Sequence, residues 1–501
     1  MSAGVDNLSN KLIKEFIKLL LRPLTHLINL SLNEGKFPES LKIAKIIPIY
    51  KNNGCKSDKI NYRPIALTSV ISKIFEKVFH SRLTNFLTLN KIISPNQLGF
   101  QKGKCTIDSV LKAVEFIHKQ LEDRKIVTSA FLDLSKAFDC VDHALLLEKL
   151  DNYGVRGTAH DWIKSYLTNR KQFVEIKSQN GKNINSDLLN SNYGVPQGSV
   201  LGPTLYLIYI NSILENSDRE VHKLMFADDT TVLISCKDTF QTEIKANIIV
   251  NSLMQDFSDH NLLLNTTKTN IINFKTTRSN IQHSPILNID ENSIIPTQKT
   301  KFFGIIIDEN LKWNEHVNYL KFKLTSSLFV LRRISQTCTQ SAAFSVYHSL
   351  IMSPISYGII LWGASSVGNL DSIFKIQKKA LRLVLNLNST EPCKAHFQHL
   401  NYLTVPSLYI FQTILFVRNH QNEFPTLGQH HEYNTRNKTS FSLYKHRLQI
   451  TETQWSYIGV KLFNKLPAEI KETTNNQKFK KTLKNFLCNK AFYSVAEYLD
   501  I

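Results

Sequence analysis

The chain has 501 residues, of which 42% are hydrophobic, so it can bury a large core and is expected to form roughly two to four domain-sized units. Its 61 Lys and Arg outnumber 41 Asp and Glu, and the formal net charge of +20 favours a polyanionic partner, either nucleic acid or an acidic membrane surface. The seven cysteines are scattered without a C-x-x-C pair, which argues against a zinc site or a disulfide framework and favours a reducing compartment.

The N-terminal residues combine helical patterns with basic loops. An amphipathic pattern over residues 12–33, interrupted by charged side chains and Pro23, predicts a docking helix rather than a signal sequence. A second helix is predicted over residues 70–90. The basic turn at residues 50–56 suggests that this lobe binds an anionic ligand.

The first candidate catalytic residue follows a buried strand. Apolar and β-branched residues at 126–134 predict the strand, which places Asp133 at its C-terminal end, and Asp142 is then positioned to cap the next helix. Further along, the turn-rich loop at 194–199 leads into an apolar helix predicted over 205–214.

Two adjacent carboxylates lie in a predicted hairpin. Strands are predicted over residues 221–226 and 230–235, and Asp228 and Asp229 fall in the tight connection between them. Their mutual repulsion is costly unless a cation or solvent neutralises it, so the hairpin is a candidate metal site. For the dipeptide by itself, a solvated turn is the alternative.

Beyond residue 310 the pattern changes to helices with basic faces, which predicts a separate helical unit. The longest stretch without Asp, Glu, Lys or Arg, residues 334–370, contains Gln336, Gln340, His348 and Pro354 and is a poor membrane span. The last hundred residues are rich in Asn, Gln and Thr but carry enough aromatic residues to bury a small core.

Nucleotidyl transfer is a reaction that carboxylates in such positions can support. It needs oxygen ligands that hold two divalent cations about 3.5–4 Å apart, and magnesium prefers carboxylates. Asp133 at a strand end and Asp228 at a neighbouring hairpin turn would lie on one rim of a sheet. Asp133, Asp228 and Asp229 are therefore candidate ligands for divalent cations, namely two Mg²⁺ ions with Mn²⁺ as the alternative metal.

Four motifs in order closely resemble the successive palm motifs of reverse transcriptases. They are Phe131-Leu132-Asp133-Leu134-Ser135-Lys136-Ala137-Phe138-Asp139, Gly194-Val195-Pro196-Gln197-Gly198, Phe226-Ala227-Asp228-Asp229 and Leu264-Asn265-Thr266-Thr267-Lys268-Thr269. Shorter segments resemble the enzymes of non-LTR retrotransposons, especially jockey-type elements. These are Asn61-Tyr62-Arg63-Pro64-Ile65, Ser72-Lys73-Ile74-Phe75-Glu76-Lys77, Gly99-Phe100, Phe303-Gly304, Leu311-Lys312-Trp313 and, more loosely, Asn434-Thr435-Arg436 and Leu462-Phe463-Asn464-Lys465-Leu466-Pro467.

The resemblance implies an α+β fold of the right-hand polymerase type (fingers, palm and thumb) with a mostly helical C-terminal extension. The expected domains are an N-terminal extension with fingers at 1–110, a palm with the catalytic motifs at 111–310, a helical thumb at 311–395 and a region of unknown role at 396–501. Because the chain starts just before the polymerase region, the N-terminal endonuclease of full-length relatives is expected to be absent.

The resemblance also implies catalytic roles for individual residues. Asp133 and Asp228 would ligate both metal ions with Asp229 beside them, and Lys268 would protonate the departing pyrophosphate unless it is simply a solvated lysine. Phe138 would lie beneath the nucleotide sugar, where its ring leaves no room for a 2′-hydroxyl, unless it is a core residue.

The remaining substrate contacts are also carried over from the family. Gln197 and Gly198 would pack against the incoming nucleotide, and Arg63 and Lys73 would steady the triphosphate or the template. The full substrate-binding set is Arg63, Lys73, Ala137, Phe138, Gln197 and Gly198. Related sequences usually carry Arg and Ser where this chain has Gln101 and Cys105. This chain is therefore expected to bind the triphosphate or the template more weakly.

The resulting hypothesis is an RNA-directed DNA polymerase that extends a primer 3′-hydroxyl on its element's RNA. The expected partners are an RNA template, a DNA primer or target DNA, and dNTPs, with no membrane. The protein would then be made in the cytoplasm, act in the nucleus and not be secreted. The alternatives are a catalytically silent nucleic-acid-binding remnant and a group II intron maturase-like protein. Oligomeric state is not determined by the sequence.

Overall fold

The structure is a computed structural model that describes residues 4–178, 180–214, 218–279, 283–289, 292–429 and 440–500. The chain divides into two compact units. The first comprises Met1–Ser109, Thr128–Ile271 and His283–Pro296, and the second comprises Val110–Val127, Ile272–Gln282 and Thr297–Ile501.

Strands and helices alternate in the first half of the chain, whereas helices dominate the second half. The strands are β1 (Ile43–Tyr50), β2 (Tyr62–Leu67), β3 (Ile126–Leu132), β4 (Leu134–Ser135), β5 (Arg170–Lys177), β6 (Asn183–Asn185), β7 (Leu189–Ser191), β8 (Val221–Phe226), β9 (Asp229–Cys236), β10 (Leu263–Leu264), β11 (Asn270–Phe274), β12 (Leu287–Ile289), β13 (Asn292–Ile294), β14 (Lys299–Phe302) and β15 (Ile305–Asp308). The helices are α1 (Asn10–Glu15), α2 (Ile17–Glu34), α3 (Val70–Leu89), α4 (Thr106–Glu122), α5 (His143–Asn152), α6 (Thr158–Leu167), α7 (Gly202–Ile210), α8 (Thr239–Asp259), α9 (Asn314–Thr337), α10 (Gln340–Val346), α11 (Ser353–Ser356), α12 (Ile359–Trp362), α13 (Val367–Leu385), α14 (Lys394–His399), α15 (Val405–Asn419), α16 (Trp455–Asn464), α17 (Ala468–Lys471), α18 (Asn476–Lys490) and α19 (Val495–Leu499).

Two sheets lie mostly in the first unit. The central sheet has the strand order β11-β3-β9-β8, and β8 and β9 form an antiparallel hairpin in which Phe226 lies opposite Asp229. The other sheet has the order β2-β1-β5-β6, with β7 also paired to β5. Strand β1 is antiparallel to β2 but parallel to β5. A short antiparallel pair, β4 with β10, sets Leu134 opposite Leu264 beside the end of β3.

Helix α7 belongs to the core of the first unit. All of its residues except Pro203 are buried, because the run is apolar on every side and has no polar face to present to water. The same core contains Phe79 and Trp162, whose rings stack with their centroids 4.2 Å apart. The elements that carry the candidate catalytic residues therefore rest on a rigid base.

The predicted elements around these residues are present with small differences at their ends. Helix α3 and strand β3 match the predictions, and Asp142 caps α5 by accepting a hydrogen bond from the Leu145 N–H at 2.9 Å. The N-terminal pattern forms two helices instead of one, because the backbone leaves the helical conformation at Phe16. Helix α7 begins three residues earlier than predicted and ends in a 3-10 turn at Asn211–Leu214.

The second unit is mostly helical. It contains the β14–β15 hairpin and helices α9 to α19, so the expected helical C-terminal extension is confirmed. Its C-terminal part is attached to the end of α4. The Glu122 carboxylate accepts hydrogen bonds from the backbone N–H groups of Arg447 and Leu448 at 2.9 and 3.0 Å and from the Thr451 hydroxyl.

The motif at Asn434-Thr435-Arg436 lies outside the described residues, whereas Leu462-Phe463-Asn464 forms the end of α16. Among the described residues, none of the helices combines the length and the apolar character needed to cross a bilayer.

Candidate active site

Three carboxylates meet at one end of the central sheet. Asp133 directly follows β3, Asp228 lies in the turn between β8 and β9, and Asp229 is the first residue of β9. Strands β3 and β9 are neighbours in that sheet, which brings the three residues together although about a hundred residues separate them in sequence. The Asn265 N–H donates to the Asp133 carbonyl oxygen at 2.8 Å and fixes the backbone at this point.

The three side chains interact electrostatically. Burial raises the pKa of Asp229 to about 6, and the negative charges of Asp228 and Asp133 add to this effect. Burial also raises the pKa of Asp228, with a contribution from Asp133, while its own backbone N–H, Lys268 and Arg63 act in the opposite direction. The full ionisation of this cluster is therefore costly without a nearby cation.

A lysine occupies part of the cluster. Lys268 Nζ lies 2.8 Å from Asp133 Oδ2, and 66% of the lysine side chain is exposed. Such an exposed ion pair is weak because water screens it and the long side chain loses freedom. Lys268 can therefore leave Asp133 at little cost when another cation or a phosphate competes.

The turn that carries Asp228 is held by a buried glutamine. Ala227 has a φ of +58°, a conformation in which residues with a Cβ are strained by about 1–2 kcal/mol. Gln97 is only 1% exposed, and its Oε1 accepts hydrogen bonds from the N–H groups of Ala227 and Gly99 at 3.0 and 2.9 Å. A Cβ on Gly99 would lie 2.2 Å from the Ala227 nitrogen, so only glycine permits this approach.

The segment that contains Gln97 is paired with β8 like an additional short strand. The Leu98 N–H donates to the Met225 carbonyl at 2.8 Å, and the Met225 N–H donates to the Asn96 carbonyl at 2.9 Å. Sequence reasoning did not identify Gln97. The available signal was its place two residues before the glycine of the Gly99-Phe100 motif.

The loop at residues 194–199 lies against β2 and against the segment that follows Asp133. The Ala66 N–H donates to the Gln197 carbonyl at 2.8 Å. Gly198 has a φ of +126°, and a Cβ there would lie 2.6 Å from the Ala66 carbonyl oxygen. The Gln197 side chain donates to Asp139 Oδ1 at 3.0 Å, so its amide is fixed by Asp139 in this state.

A buried glutamate explains the early start of α7. Glu76 of α3 is fully buried, and its Oε2 accepts hydrogen bonds from the N–H groups of Val200 and Leu201 at 2.6 and 3.2 Å. Its Oε1 accepts the Ser72 hydroxyl at 2.9 Å. A negative charge at a helix N-terminus is stabilised by the helix dipole and by the unpaired N–H groups. Glu76 therefore ties the 194–199 loop to α3.

Phe138 is half-buried on the same side of the first unit. Its ring stacks on Tyr206 of α7, with centroids 4.6 Å apart and an interplanar angle of 21°, and meets Phe100 edge-on at 5.9 Å. Ala137 is buried at 3% exposure. The two rings hold Phe138 in one orientation while part of its surface stays accessible to solvent.

The two candidate residues of the N-terminal lobe occupy different places. Arg63, exposed on β2, is among the charges that lower the pKa of Asp228, so it lies within electrostatic range of the carboxylates. Lys73 lies on α3 and lines a groove with Lys77 and Arg82. Gln101 donates from its amide to the Gln97 carbonyl at 2.5 Å, and Cys105 is exposed.

The donor chemistry of the cluster fits a divalent cation, but the cluster is not a complete metal site. Within the described ranges, no group of three or more His, Cys, Asp or Glu side chains is arranged to hold a metal ion. Magnesium is commonly bound by one or two carboxylates, with water and phosphate oxygens completing the shell. A pair such as Asp133 and Asp228 meets that smaller requirement once Lys268 has moved.

Comparison with known proteins assigns this chain to a family. Residues 49–324 match the reverse transcriptase (RNA-dependent DNA polymerase) family. The chain is 28% identical over 401 residues to the probable RNA-directed DNA polymerase from transposon BS of Drosophila melanogaster. It is 27% identical over 394 residues to the RNA-directed DNA polymerase from mobile element jockey of the same species. Each alignment covers 76% of this chain and 42% of the relative, so the chain spans less than half the length of these relatives.

Solved structures that align with part of this chain include two telomerases. Apo telomerase from Candida tropicalis aligns with a TM-score of 0.41 at 15% identity, covering 76% of this chain and 65% of the telomerase. Telomerase from Candida albicans in complex with a telomeric RNA fragment aligns with a TM-score of 0.37 at 12% identity, covering 70% of this chain and 66% of the telomerase.

Proposed function

The chain belongs to the reverse transcriptase (RNA-dependent DNA polymerase) family, and on that premise we propose that it is the RNA-directed DNA polymerase of a non-LTR retrotransposon. Its substrates would be dNTPs, a primer 3′-hydroxyl and an RNA template. The relatives from transposon BS and jockey support this proposal over a group II intron maturase or a catalytically silent remnant. We also propose fingers, palm and thumb at the boundaries expected from the sequence, and action in the nucleus.

The observation that carries the proposal is the meeting of Asp133, Asp228 and Asp229 at the end of two neighbouring strands. The raised pKa values of Asp228 and Asp229 mean that a cation bound nearby would favour the ionised form of both carboxylates. When bound there, two divalent cations would activate the primer hydroxyl and neutralise charge on the triphosphate.

Residues of this chain would perform the remaining tasks. Arg63 would meet the triphosphate from β2, since a guanidinium forms paired hydrogen bonds with phosphate oxygens. Lys268, released from Asp133, would lie close enough to donate a proton to the departing pyrophosphate. The loop with Gln197 and Gly198 would pack against the new base pair, because its glycine allows the backbone to approach closely.

A primer-extension assay tests the proposal. The purified chain is incubated with an RNA template, a DNA primer, dNTPs and Mg²⁺, beside an Asp228→Ala control. We expect template-dependent extension by the parent protein that is lost without Mg²⁺ and in the control. If the parent protein gives no metal-dependent extension, the chain is not a polymerase.

The affinity for Mg²⁺ is expected to decrease by up to about tenfold for each pH unit below 6. The pKa of Asp229, raised from 3.8 to about 6, means that protons compete with the cation for this carboxylate below that pH. In the absence of metal, the folded state binds more protons than the unfolded state between pH 3.8 and 6, so stability decreases as pH rises through this range. Calorimetric Mg²⁺ titrations from pH 5 to 8 on the parent and on Asp229→Asn measure the effect. An unchanged pH profile in the variant would show that Asp229 is not the titrating group.

Shrinking Phe138 to Val or Ala is expected to raise incorporation of rNTPs relative to dNTPs by about tenfold or more, because the ring would no longer exclude a 2′-hydroxyl. The Tyr206 ring supports Phe138 from below and stays in place in these variants. Steady-state incorporation of each nucleotide opposite one template base gives the ratio, and Phe100→Val serves as a matched control at the edge of the same ring cluster. Unchanged sugar selection in the Phe138 variants would make Phe138 a packing residue.

A further inference from the structure

An apolar pocket lies between α2, α3 and α6 in the first unit, and none of the candidate catalytic or substrate-binding residues lines it. Its volume is about 290 Å³. The buried side chains of Phe79, Leu83 and Trp162 form its base, and the half-buried Leu32 and Phe86 form its walls. We call it the α3–α6 pocket. It presents apolar surface to a ligand that enters from solvent.

The shape of the pocket is fixed by contacts within the protein. The Trp162 indole N–H donates to the Ser31 hydroxyl oxygen at 2.9 Å, and the indole ring stacks on Phe79. Gly154 has a φ of +89°, which favours glycine, and a Cβ there would lie 3.6 Å from Phe86 Cζ. The missing side chain at Gly154 therefore leaves space beside the Phe86 ring. Because the pocket is preformed, a ligand loses little affinity to reorganisation of the protein.

Two arginines from different elements lie at the opening of the pocket. Arg82 on α3 and Arg156 in the α5–α6 connection are exposed, and no acidic side chain is among the described residues of the lining. Within the described ranges, Arg82 has no ion pair, and Arg156 has an exposed one with Asp151 at 3.2 Å, which is weak because water screens it. A guanidinium forms paired hydrogen bonds with a carboxylate, so the opening favours an acidic ligand.

The size and polarity of the pocket favour a single large apolar side chain as its occupant. Pockets for drug-sized molecules usually measure about 300–1,000 Å³, so the α3–α6 pocket is at the lower limit for such a molecule. A nucleobase is a poorer match. Apart from the two arginines, Thr158 is the only hydroxyl or amide side chain among the described lining residues. The polar edge of a base would therefore lose water without gaining enough hydrogen-bond partners.

We propose that the α3–α6 pocket binds an acidic segment of a partner protein. The segment inserts one large apolar side chain, such as Leu or Phe, and its flanking carboxylates pair with Arg82 and Arg156. Buried apolar anchors of this kind carry much of the affinity in protein interfaces, and charged pairs at the rim add selectivity. The net charge of +20 attracts such a segment over a longer range. This docking site is independent of the proposed polymerase activity.

Labelled peptides test the proposal on the full chain by fluorescence anisotropy. The Phe peptide has one Phe with two Asp on each side, the Ala peptide replaces this Phe with Ala, and the Lys peptide replaces each Asp with Lys. The variant Ala159→Leu fills the pocket from α6, and Arg82→Gln/Arg156→Gln removes the cations at the opening. The matched control is Arg22→Gln/Arg219→Gln, at exposed arginines of the same unit outside the pocket lining.

We expect the parent protein and the matched control to bind the Phe peptide about tenfold or more tightly than the Ala peptide, because only Phe buries a large apolar surface. Ala159→Leu should remove this preference and melt at or above the parent temperature, since it fills a cavity. Arg82→Gln/Arg156→Gln should keep the preference but bind both acidic peptides about threefold to tenfold more weakly. The Lys peptide should not bind the parent protein.

Three results would overturn the proposal. The first is equal affinity of the parent protein for the Phe and Ala peptides, and the second is an Ala159→Leu variant that keeps the preference for Phe. The third is a short single-stranded RNA that binds the parent protein more tightly than the Phe peptide and loses its affinity in Ala159→Leu, which would make the pocket a nucleotide site. Primer extension by all these variants should equal that of the parent protein, so the polymerase proposal and the docking proposal can fail separately.

Discussion

Asp133→Asn and Asp228→Asn are each expected to lower the rate of primer extension by about 10³-fold or more. The substitution keeps the size of the side chain but removes a charged metal ligand, and the loss of one electrostatic group from a catalytic centre costs about 10²–10³-fold or more. Asp229→Asn is expected to have a smaller effect, about tenfold, because Asp229 would stand beside the ligands. Single-turnover extension with saturating dNTPs measures these rates.

The melting temperature shows whether a lower extension rate comes from the lost metal ligand or from unfolding. Asp133 contributes to the raised pKa of Asp228, and both residues contribute to the raised pKa of Asp229, so the carboxylates repel each other in the folded state without metal. Replacing one with Asn should therefore leave the melting temperature of the metal-free protein unchanged or raise it. Asp187→Asn, at an exposed aspartate of the same unit, is the matched control and should keep full activity. Extension by Asp228→Asn within tenfold of the parent rate would contradict the assignment of Asp228.

Gln97→Met is expected to reduce the extension rate by about tenfold to a hundredfold with little change in template affinity. The substitution keeps the volume but removes the oxygen that accepts hydrogen bonds from Ala227 and Gly99. Two buried N–H groups then lose their partner, at about 1–3 kcal/mol each, and the strained turn at Ala227 loses its support. Asp228, the next residue, would no longer be held in position.

Gln97→Glu distinguishes a positioning role from a general packing role. A carboxylate oxygen can accept the same two hydrogen bonds, but the donation from Nε2 to the Ala227 carbonyl oxygen at 3.5 Å is lost, so the extension rate at high pH should recover in part. The added negative charge beside Asp228 and Asp229 should raise their pKa values further and move the acid limb of the pH–rate profile to higher pH. Gln241→Met, at an exposed glutamine of α8, is the matched control. If the Met and Glu variants lose the same fraction of the extension rate and the pH profile is unchanged, Gln97 is a packing residue.

The sequence by itself determined the local elements that carry the candidate catalytic residues. The apolar run before Asp133 and the paired strands around Asp228 and Asp229 specify β3, β8 and β9, because the alternation and burial of side chains in strands are encoded locally. The order of four motifs also identified the family, which the family comparison confirmed for residues 49–324.

Only the tertiary structure decided how these elements are held in place. Gln97 reaches across 130 residues to Ala227, and Glu76 across 124 residues to Val200, and neither contact leaves a periodic pattern in the sequence. The same reason explains why α7 starts earlier than its apolar pattern predicts, since a distant carboxylate accepts hydrogen bonds from the N–H groups of Val200 and Leu201, directly before the helix.

The tertiary structure also separated residues that the sequence could only group together. Arg63 and Lys73 were both predicted to steady triphosphate or template, yet Arg63 lowers the pKa of Asp228 whereas Lys73 lines a groove on α3 with Lys77 and Arg82. Side-chain type and spacing identify a residue that can bind phosphate. Which phosphate it can reach depends on the direction of the element that carries it, and that direction is set by long-range packing of the core.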